Sequence, residues 1–344
     1  MRCCIVSLLV LITGSSVAQI GGSHVFPILS LENSARFAGL AGTAISFDNN
    51  ELGLAFQNPA LLDENDHSSL ELNGVDYVGG SGYGYASYAH NFKKAGIFAG
   101  HLQYMNYGKM RRFDEFGNEQ GNFFAADYNF VISHARPIDS LFRAGASMKF
   151  IYSALDQWSS FGVAMDLGVF FEKKSIDLSA GLVARNIGMQ LSTYTSGNRE
   201  NLPFDLALAV TKGLKHAPFR FTIQFDQLHR WDLTYIDPNA APVVDPLTGE
   251  EVAATPPGFF EKLMRHTSYG VELLFGKSFW IASGFDYRRR AELRTESRTL
   301  LTGFSVGVGF KIRNFRLAYA HSGMHRAAGA NFFTVSTRLD SFGK

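Results

Sequence analysis

The sequence predicts an all-β protein, a single 14-stranded antiparallel transmembrane β-barrel with a short N-terminal plug segment. Three observations predict it. The first is composition: 31 Phe and 13 Tyr beside 34 Gly favour pleated, turn-punctuated structure over helix. The second is a hydrophobic period of two. Phe219, Phe221, Ile223 and Phe225 interleave with Arg220, Thr222, Gln224 and Asp226, and Phe304, Val306, Val308 and Phe310 interleave with Ser305, Gly307, Gly309 and Lys311. The third is the length of these runs. A tilted membrane-spanning strand needs about 9–11 residues and a soluble strand averages roughly 5–6, so most of the runs suit a bilayer.

Composition also sets limits. With 46% hydrophobic and 18% charged residues the chain is too apolar for disorder. Lys+Arg 32 against Asp+Glu 31 leaves no bulk field to attract nucleic acid. Residues 1–18 read as a signal peptide, with Arg2, an apolar run from Cys3 to Ile12 and the small-x-small ending Ser16-Val17-Ala18. Cleavage there makes Gln19 the first residue of an exported chain and removes both cysteines, so disulfides, thiolate zinc and a catalytic thiol are not expected.

Residues 19–67 lack the two-residue period and form the predicted plug segment. Ser30, Glu32, Asn33 and Ser34 offer caps for a short helix from Ala35 to Leu40, and a turn-rich stretch leads to Asn58-Pro59-Ala60. Those three residues are a plug motif or simply a turn, since Asn and Pro are common turn formers.

From 68 to 344 the barrel strands are expected at 68–78, 82–92, 95–107, 122–135, 140–153, 160–172, 176–190, 202–212, 217–228, 266–276, 278–289, 299–312, 314–321 and 330–340. Tight links such as Arg136-Pro137-Ile138-Asp139 alternate with long ones, at 108–121, 192–201, 229–265 and 290–298. The first hairpin, at Gly79-Gly80-Ser81, is short and breaks that alternation. Ten tyrosines fall near strand ends and predict aromatic girdles: Tyr77, Tyr83, Tyr85, Tyr104, Tyr107, Tyr128, Tyr152, Tyr269, Tyr287 and Tyr319.

The positions between the apolar ones are rich in Gly, Ala, Ser and Asn with charges of both signs, which suits an enclosed lumen better than the outer face of a soluble sandwich. Arg143, Lys149, Asp166, Asp205, Asp226, Glu272, Asp286, Arg288, Lys311 and Arg313 are the expected inward charges, closing the lumen by salt bridges. On this reading Phe221→Arg costs roughly 2–4 kcal/mol and Thr222→Arg, on the lumen side, costs less.

No catalytic, cofactor or metal site is expected. His321 and His325 are placed in a loop with no complete ligand set. Gly79 to Gly84 has no helix after it to cradle a phosphate. Asp237, Asn239, Asp245, Glu250 and Glu251 fit no calcium loop spacing. Arg288, Arg289, Arg290 and Arg294 form a basic cluster at a long-loop strand end, a surface contact for an acidic partner or lipopolysaccharide, or an ordinary solvated loop.

Two stretches of residues carry resemblances. Asn33 to Leu62, with Asn33-Ser34-Ala35-Arg36 and Phe56-Gln57-Asn58-Pro59-Ala60-Leu61-Leu62, resembles the N-terminal region of FadL-like outer-membrane barrels, which have fourteen strands and an N-terminal plug. Val183-Ala184-Arg185-Asn186-Ile187-Gly188, His216-Ala217-Pro218-Phe219-Arg220-Phe221 and Trp231-Asp232-Leu233-Thr234-Tyr235, among others in order, make the chain similar to the PorQ family of the type IX secretion system. That resemblance implies a non-enzymatic outer-membrane subunit of an attachment complex. It would tether PorZ, alongside PorU and PorV, and help join exported cargo to anionic lipopolysaccharide. The FadL-like architecture alone implies instead a transporter of hydrophobic small molecules. Both place the termini in the periplasm and the long loops outside.

Overall fold

Runs of alternating side chains, 7 to 19 residues long, close into one antiparallel barrel of fourteen strands. The computed structural model describes residues 24–234, 243–244, 251–252, 257–276, 278–293, 302–325 and 328–342. The predicted signal peptide, Arg294 and most of the 236–258 loop lie outside them. The strands are β1 (Ser69–Asp76), β2 (Gly82–Asn91), β3 (Ile97–Phe113), β4 (Glu119–Pro137), β5 (Phe142–Leu155), β6 (Trp158–Lys173) and β7 (Leu178–Ser192). The second half comprises β8 (Asp205–Gly213), β9 (Phe219–Phe225), β10 (Thr267–Phe275), β11 (Phe279–Asp286), β12 (Phe304–Ile312), β13 (Phe315–His325) and β14 (Ala328–Arg338). Each pairs with its sequence neighbour, and β1 pairs with β14 from Ser69↔Arg338 to Asp76↔Asn331 to close the cylinder. Closure satisfies every edge, a requirement in hydrocarbon, where an unpaired backbone group costs several kcal/mol.

The faces are sorted opposite to those of a soluble protein. On β9, Phe221 and Ile223 are 46% and 43% exposed on the outside, while Thr222 and Gln224 are 3% and 2% exposed within. On β5, Met148, Phe150 and Tyr152 point out and Ser147, Lys149 and Ser153 point in. An apolar exterior around a polar interior defines a transmembrane barrel; among the described residues no helix is long and apolar enough to cross a bilayer. Rings mark both borders. Tyr104, Tyr128 and Tyr152 follow one another across three strands at 5.0 and 6.3 Å between centroids, and Phe142–Phe171 (5.1 Å) and Phe275–Phe279 (5.4 Å) sit toward the short-turn end.

Several expectations need correction. Tyr83 and Tyr85 are not girdle residues: both are buried in the lumen, where their hydroxyls donate to Glu32 O (2.6 Å) and Leu52 O (3.3 Å). The 108–121 link is mostly strand, because β3 and β4 continue as a ribbon to a turn at Asp114, whose carboxylate accepts from the Phe116 and Asn118 amides. His321 and His325 lie on β13 rather than in a loop, since that strand runs four residues further than its alternation shows. β11 stops at Asp286, where a helix (Tyr287–Leu293) begins.

The Phe221/Thr222 comparison changes too. Phe221→Arg is expected to lower stability by about 2–4 kcal/mol in denaturant titrations of the lipid-embedded barrel. Thr222 is no mild control, because its hydroxyl lies 2.8 Å from that of Thr211, which lies 2.6 Å from that of Ser46 in the N-terminal segment. The lumen is packed, so Thr222→Arg will cost at least as much as its lipid-facing neighbour.

Candidate functional site

The space inside the cylinder is filled by residues 24–67. Their short helices, α1 (Ala35–Gly39) and α2 (Leu52–Gln57), are joined by turns rather than by any repeating pattern. Ser34 caps α1 by accepting from the Phe37 amide, as the sequence led us to expect. Apolar side chains of this segment, among them Phe37, Leu40, Ile45, Leu54 and Leu61, pack on inward-pointing Phe170, Val183, Ala207 and Trp280 of the wall.

Asn58-Pro59-Ala60 forms the tightest join. Asn58 is wholly buried; its Nδ2 donates to Ile45 O (2.9 Å) and its Oδ1 accepts from the Ala60 amide (3.1 Å), holding a 3-10 turn over Pro59–Leu61. This turn lies on Gly145 of β5 and Gly168 of β6, which are cross-strand partners, and Asn58 also approaches Gly181 of β7. A Cβ at Gly145 would collide with the Pro59–Ala60 peptide, and one at Gly168 with the Asn58 Oδ1. Three glycines thus make a flat place on the wall where the motif's backbone lies directly against strands.

Charges fix the segment around the rest of the wall. Arg36 of α1 reaches Glu51 (3.1 Å) and Glu272 of β10 (3.3 Å), and lies over the Trp280 ring at 4.2 Å. Glu272 also takes Arg220 of β9 at 2.5 Å, whose guanidinium lies over Phe47 at 3.9 Å. Arg143 of β5 meets Asp48 (3.1 Å) and Asp63 (3.5 Å); Arg289 meets Glu32 at 2.5 Å. Arg185 of β7 pairs with Asp205 and donates to Gln57 Oε1 at 2.9 Å. Removing one partner of any such buried pair strands the other in a low-dielectric interior, so the set specifies one seating of the segment.

Of the charges expected inside, Arg143, Lys149, Asp166, Asp205, Asp226, Glu272, Asp286 and Arg288 line the lumen or its mouths, whereas Lys311 and Arg313 are exposed at the short-turn rim. Within the basic cluster, Arg289 turns inward to Glu32 and to the Ser322 hydroxyl (2.6 Å), and Arg290 lies 5.9 Å from the Phe304 ring centre. Three further inward charges, Arg36, Arg185 and Arg220, are not among those the sequence predicts. Alternation with Phe219 and Phe221 marks Arg220; a bulge hides Arg185, and nothing periodic marks Arg36.

Near the short-turn end three carboxylates, Asp48, Asp63 and Asp66, share one guanidinium, that of Arg143. Burial pushes Asp48 up to about 6, and burial with the neighbouring Asp48 charge pushes Asp66 well above the usual range. Both take up protons more readily seated than free, so docking of the segment will tighten as pH falls from about 7 toward 5, gaining nothing further below the carboxylates' ordinary values. Limited proteolysis of the N-terminal segment across that range checks the sign.

His101, the most buried histidine of the wall, is a satisfied interior residue with Tyr85, Ser87 and Ser133 hydroxyls at 2.7, 2.6 and 3.0 Å. Among the described residues no group of three or more His, Cys, Asp or Glu is placed to hold a metal ion.

The class this defines is a transmembrane β-barrel stoppered by its own N-terminal segment. No protein-family model and no curated protein matches the chain. Solved structures do match in fold. A TodX monoaromatic hydrocarbon channel deltaS2 mutant aligns at TM-score 0.54 and 12% identity, over 90% of this chain and 98% of that one. The Ralstonia pickettii toluene transporter TbuX aligns at 0.51 and 10%, over 90% and 99%, and the Pseudomonas putida toluene transporter TodX at 0.51 and 12%, over 89% and 97%. The closed barrel architecture is thereby shared with these channels and transporters; at such identities the likeness is one of fold.

Proposed function

We propose that this chain is a non-catalytic outer-membrane barrel that anchors a surface partner, with short turns and both chain ends in the periplasm and long loops outside. One observation carries the reading: a lumen stoppered by ion pairs while large aromatics stand free on the long-loop side. Phe116 at the tip of the β3–β4 ribbon is 82% exposed, and Phe259 and Phe260 on a short helix (Phe259–Met264) are 70% and 72% exposed, Phe259 lying 5.3 Å from Trp231. Aromatics so presented are what partner surfaces use as anchors. The sequence resemblance makes that partner PorZ, in an assembly with PorU and PorV that works on anionic lipopolysaccharide.

A second reading, a transporter of hydrophobic small molecules, is favoured by the fold likeness to toluene and monoaromatic hydrocarbon channels, which speaks for it more directly than any comparison speaks for PorZ. Against it stands the cavity beneath the long-loop end, lined by four carboxylates and three guanidiniums, which suit greasy cargo poorly; the cavity beside α1 mixes charges with Phe279, Trp280, Phe310 and Leu317. Affinity purification from detergent-solubilised outer membranes separates the two. The anchor reading expects PorZ to be retained and to be lost from Phe259→Ser/Phe260→Ser. An unaccompanied barrel that admits toluene into proteoliposomes would replace it with the transporter.

A further inference from the structure

The base of the β3–β4 ribbon differs in character from its aromatic tip. β2 ends its pairing with β3 at Gly82↔Asn106, and β5 ends its pairing with β4 at Leu155↔Ala125. Beyond those points β3 and β4 pair only with each other, from Lys109↔Phe124 to Phe113↔Glu119. Here the phase of β3 changes. The ladder skips from Asn106 to Lys109 while β4 advances by two residues, and Gly108, inside the skip, has φ 81°. Phe124 therefore keeps the outward face of Tyr128. The bulge turns Lys109 and Arg111, the partners of Phe124 and Asn122, to that same lipid side and sends Met110 and Arg112 to the other.

Height gives this pair of cations its chemistry. Phe124 stands four residues beyond Tyr128, a climb of roughly 10 Å along a tilted strand. Tyr104, Tyr128 and Tyr152 mark the border of the apolar band on β3, β4 and β5, so Lys109 and Arg111 stand at the level of lipid headgroups. Both are exposed, and neither forms an ion pair among the described residues, whereas Arg112 on the other face is held by Asp156. The carboxylates of the ribbon, Asp114, Glu115 and Glu119, are kept to its far end, and Asp114 is occupied by its own turn. Beside the cations Phe124 is 70% exposed toward the lipid. A protein docked on the tip would leave this low, outward face uncovered.

We propose that the lipid-facing base of the ribbon binds a phosphorylated glycolipid of the outer leaflet. Lys109 and Arg111 pair with its phosphates, the Asn122 amide is the neighbouring donor, and the Phe124 ring lies against its acyl chains. Long stems let both cations reach back along the wall toward the headgroup, and charge-assisted hydrogen bonds to phosphate are among the strong ones. Such a lipid meets the ribbon only if the long loops lie outside, whatever partner they hold.

Native mass spectrometry of the full barrel, titrated with lipid A carrying its phosphates and with lipid A stripped of them, tests this. The phosphorylated form is expected to bind saturably and the stripped form about tenfold or more weakly. Lys109→Gln and Arg111→Gln should each weaken binding about fivefold, and the two together about twenty-fivefold. Arg112→Gln, the same loss of charge on the other face, should leave it within about twofold. In intact cells a membrane-impermeant maleimide should label Phe116→Cys at the tip. Equal binding of the two lipids, or a loss in Arg112→Gln as large as in the double variant, would overturn the site while leaving the orientation standing. An unlabelled Phe116→Cys would put the ribbon in the periplasm and overturn the glycolipid as its ligand, even with phosphate binding intact.

Discussion

Replacing Lys149 by methionine will cost the barrel about 3–5 kcal/mol, the penalty for stranding a buried charge. Lys149 and Asp166 are 2% and 0% exposed, with Nζ 2.7 Å from the carboxylate. Lys149 also donates to Asn186 Oδ1 (2.7 Å), and the Asn186 amide donates to Asp166 Oδ1 (2.8 Å). This cluster sits where β7 bulges: the pairing skips at Met165/Leu167, and Asn186 has φ 59°, the left-handed region that asparagine tolerates. Without the cation, Asp166 keeps only the Asn186 backbone amide and the more distant charge of Arg185. The double variant Lys149→Met/Asp166→Asn should regain most of the loss, because it removes the stranded charge along with its partner. Urea titrations of wild type, both single variants and the double give the cycle; a single variant as stable as wild type would show that the pair does not staple the bulge.

Substituting valine at both Gly145 and Gly168 is expected to unseat the N-terminal segment, at a cost of about 3 kcal/mol from overpacking and lost Asn58 hydrogen bonds. The added methyls fall on the Pro59–Ala60 peptide and on Asn58 itself, and backbone offers no rotamer by which to yield. Strand pairing on either side needs neither glycine, so the cylinder should still run as a folded band on unheated gels while Gln57 to Leu62 become open to protease. Cleavage at the wild-type rate would mean that the flat place on the wall is not what seats the motif.

All fourteen strands were legible because lipid imposes a strict period of two on the outer face, over runs mostly longer than a soluble strand. Legibility failed where the inner face had a second customer. Ile151, Val131 and Val183 point inward and are fully buried against the N-terminal segment or beside it, so apolar residues on both faces blur the strand signal there. The bulge at Asn186 shifts the phase of β7 and with it the side on which Arg185 falls. Within residues 24–67 the buried polar groups, such as Asn33 giving its amide to Gly53 O (2.8 Å) and taking that of Gln57 (2.8 Å), are satisfied by partners that only the folded chain brings near. Spacing alone could not reveal them. Asn58, Pro59 and Ala60 stood out as a motif, but the glycines that receive them lie more than eighty residues away.

The seam between β1 and β14 is held from inside as well as along its ladder. The N-terminal segment touches both sides of that seam, with the Glu71 carboxylate of β1 accepting from the Gly53 amide (3.0 Å) and Thr334 of β14 accepting from the Ala35 amide (2.9 Å). Its contacts thus bridge the first strand and the last. Seating of the segment and closure of the seam therefore reinforce one another, so that whatever loosens the stopper also weakens the joint at which the two ends of the sheet meet.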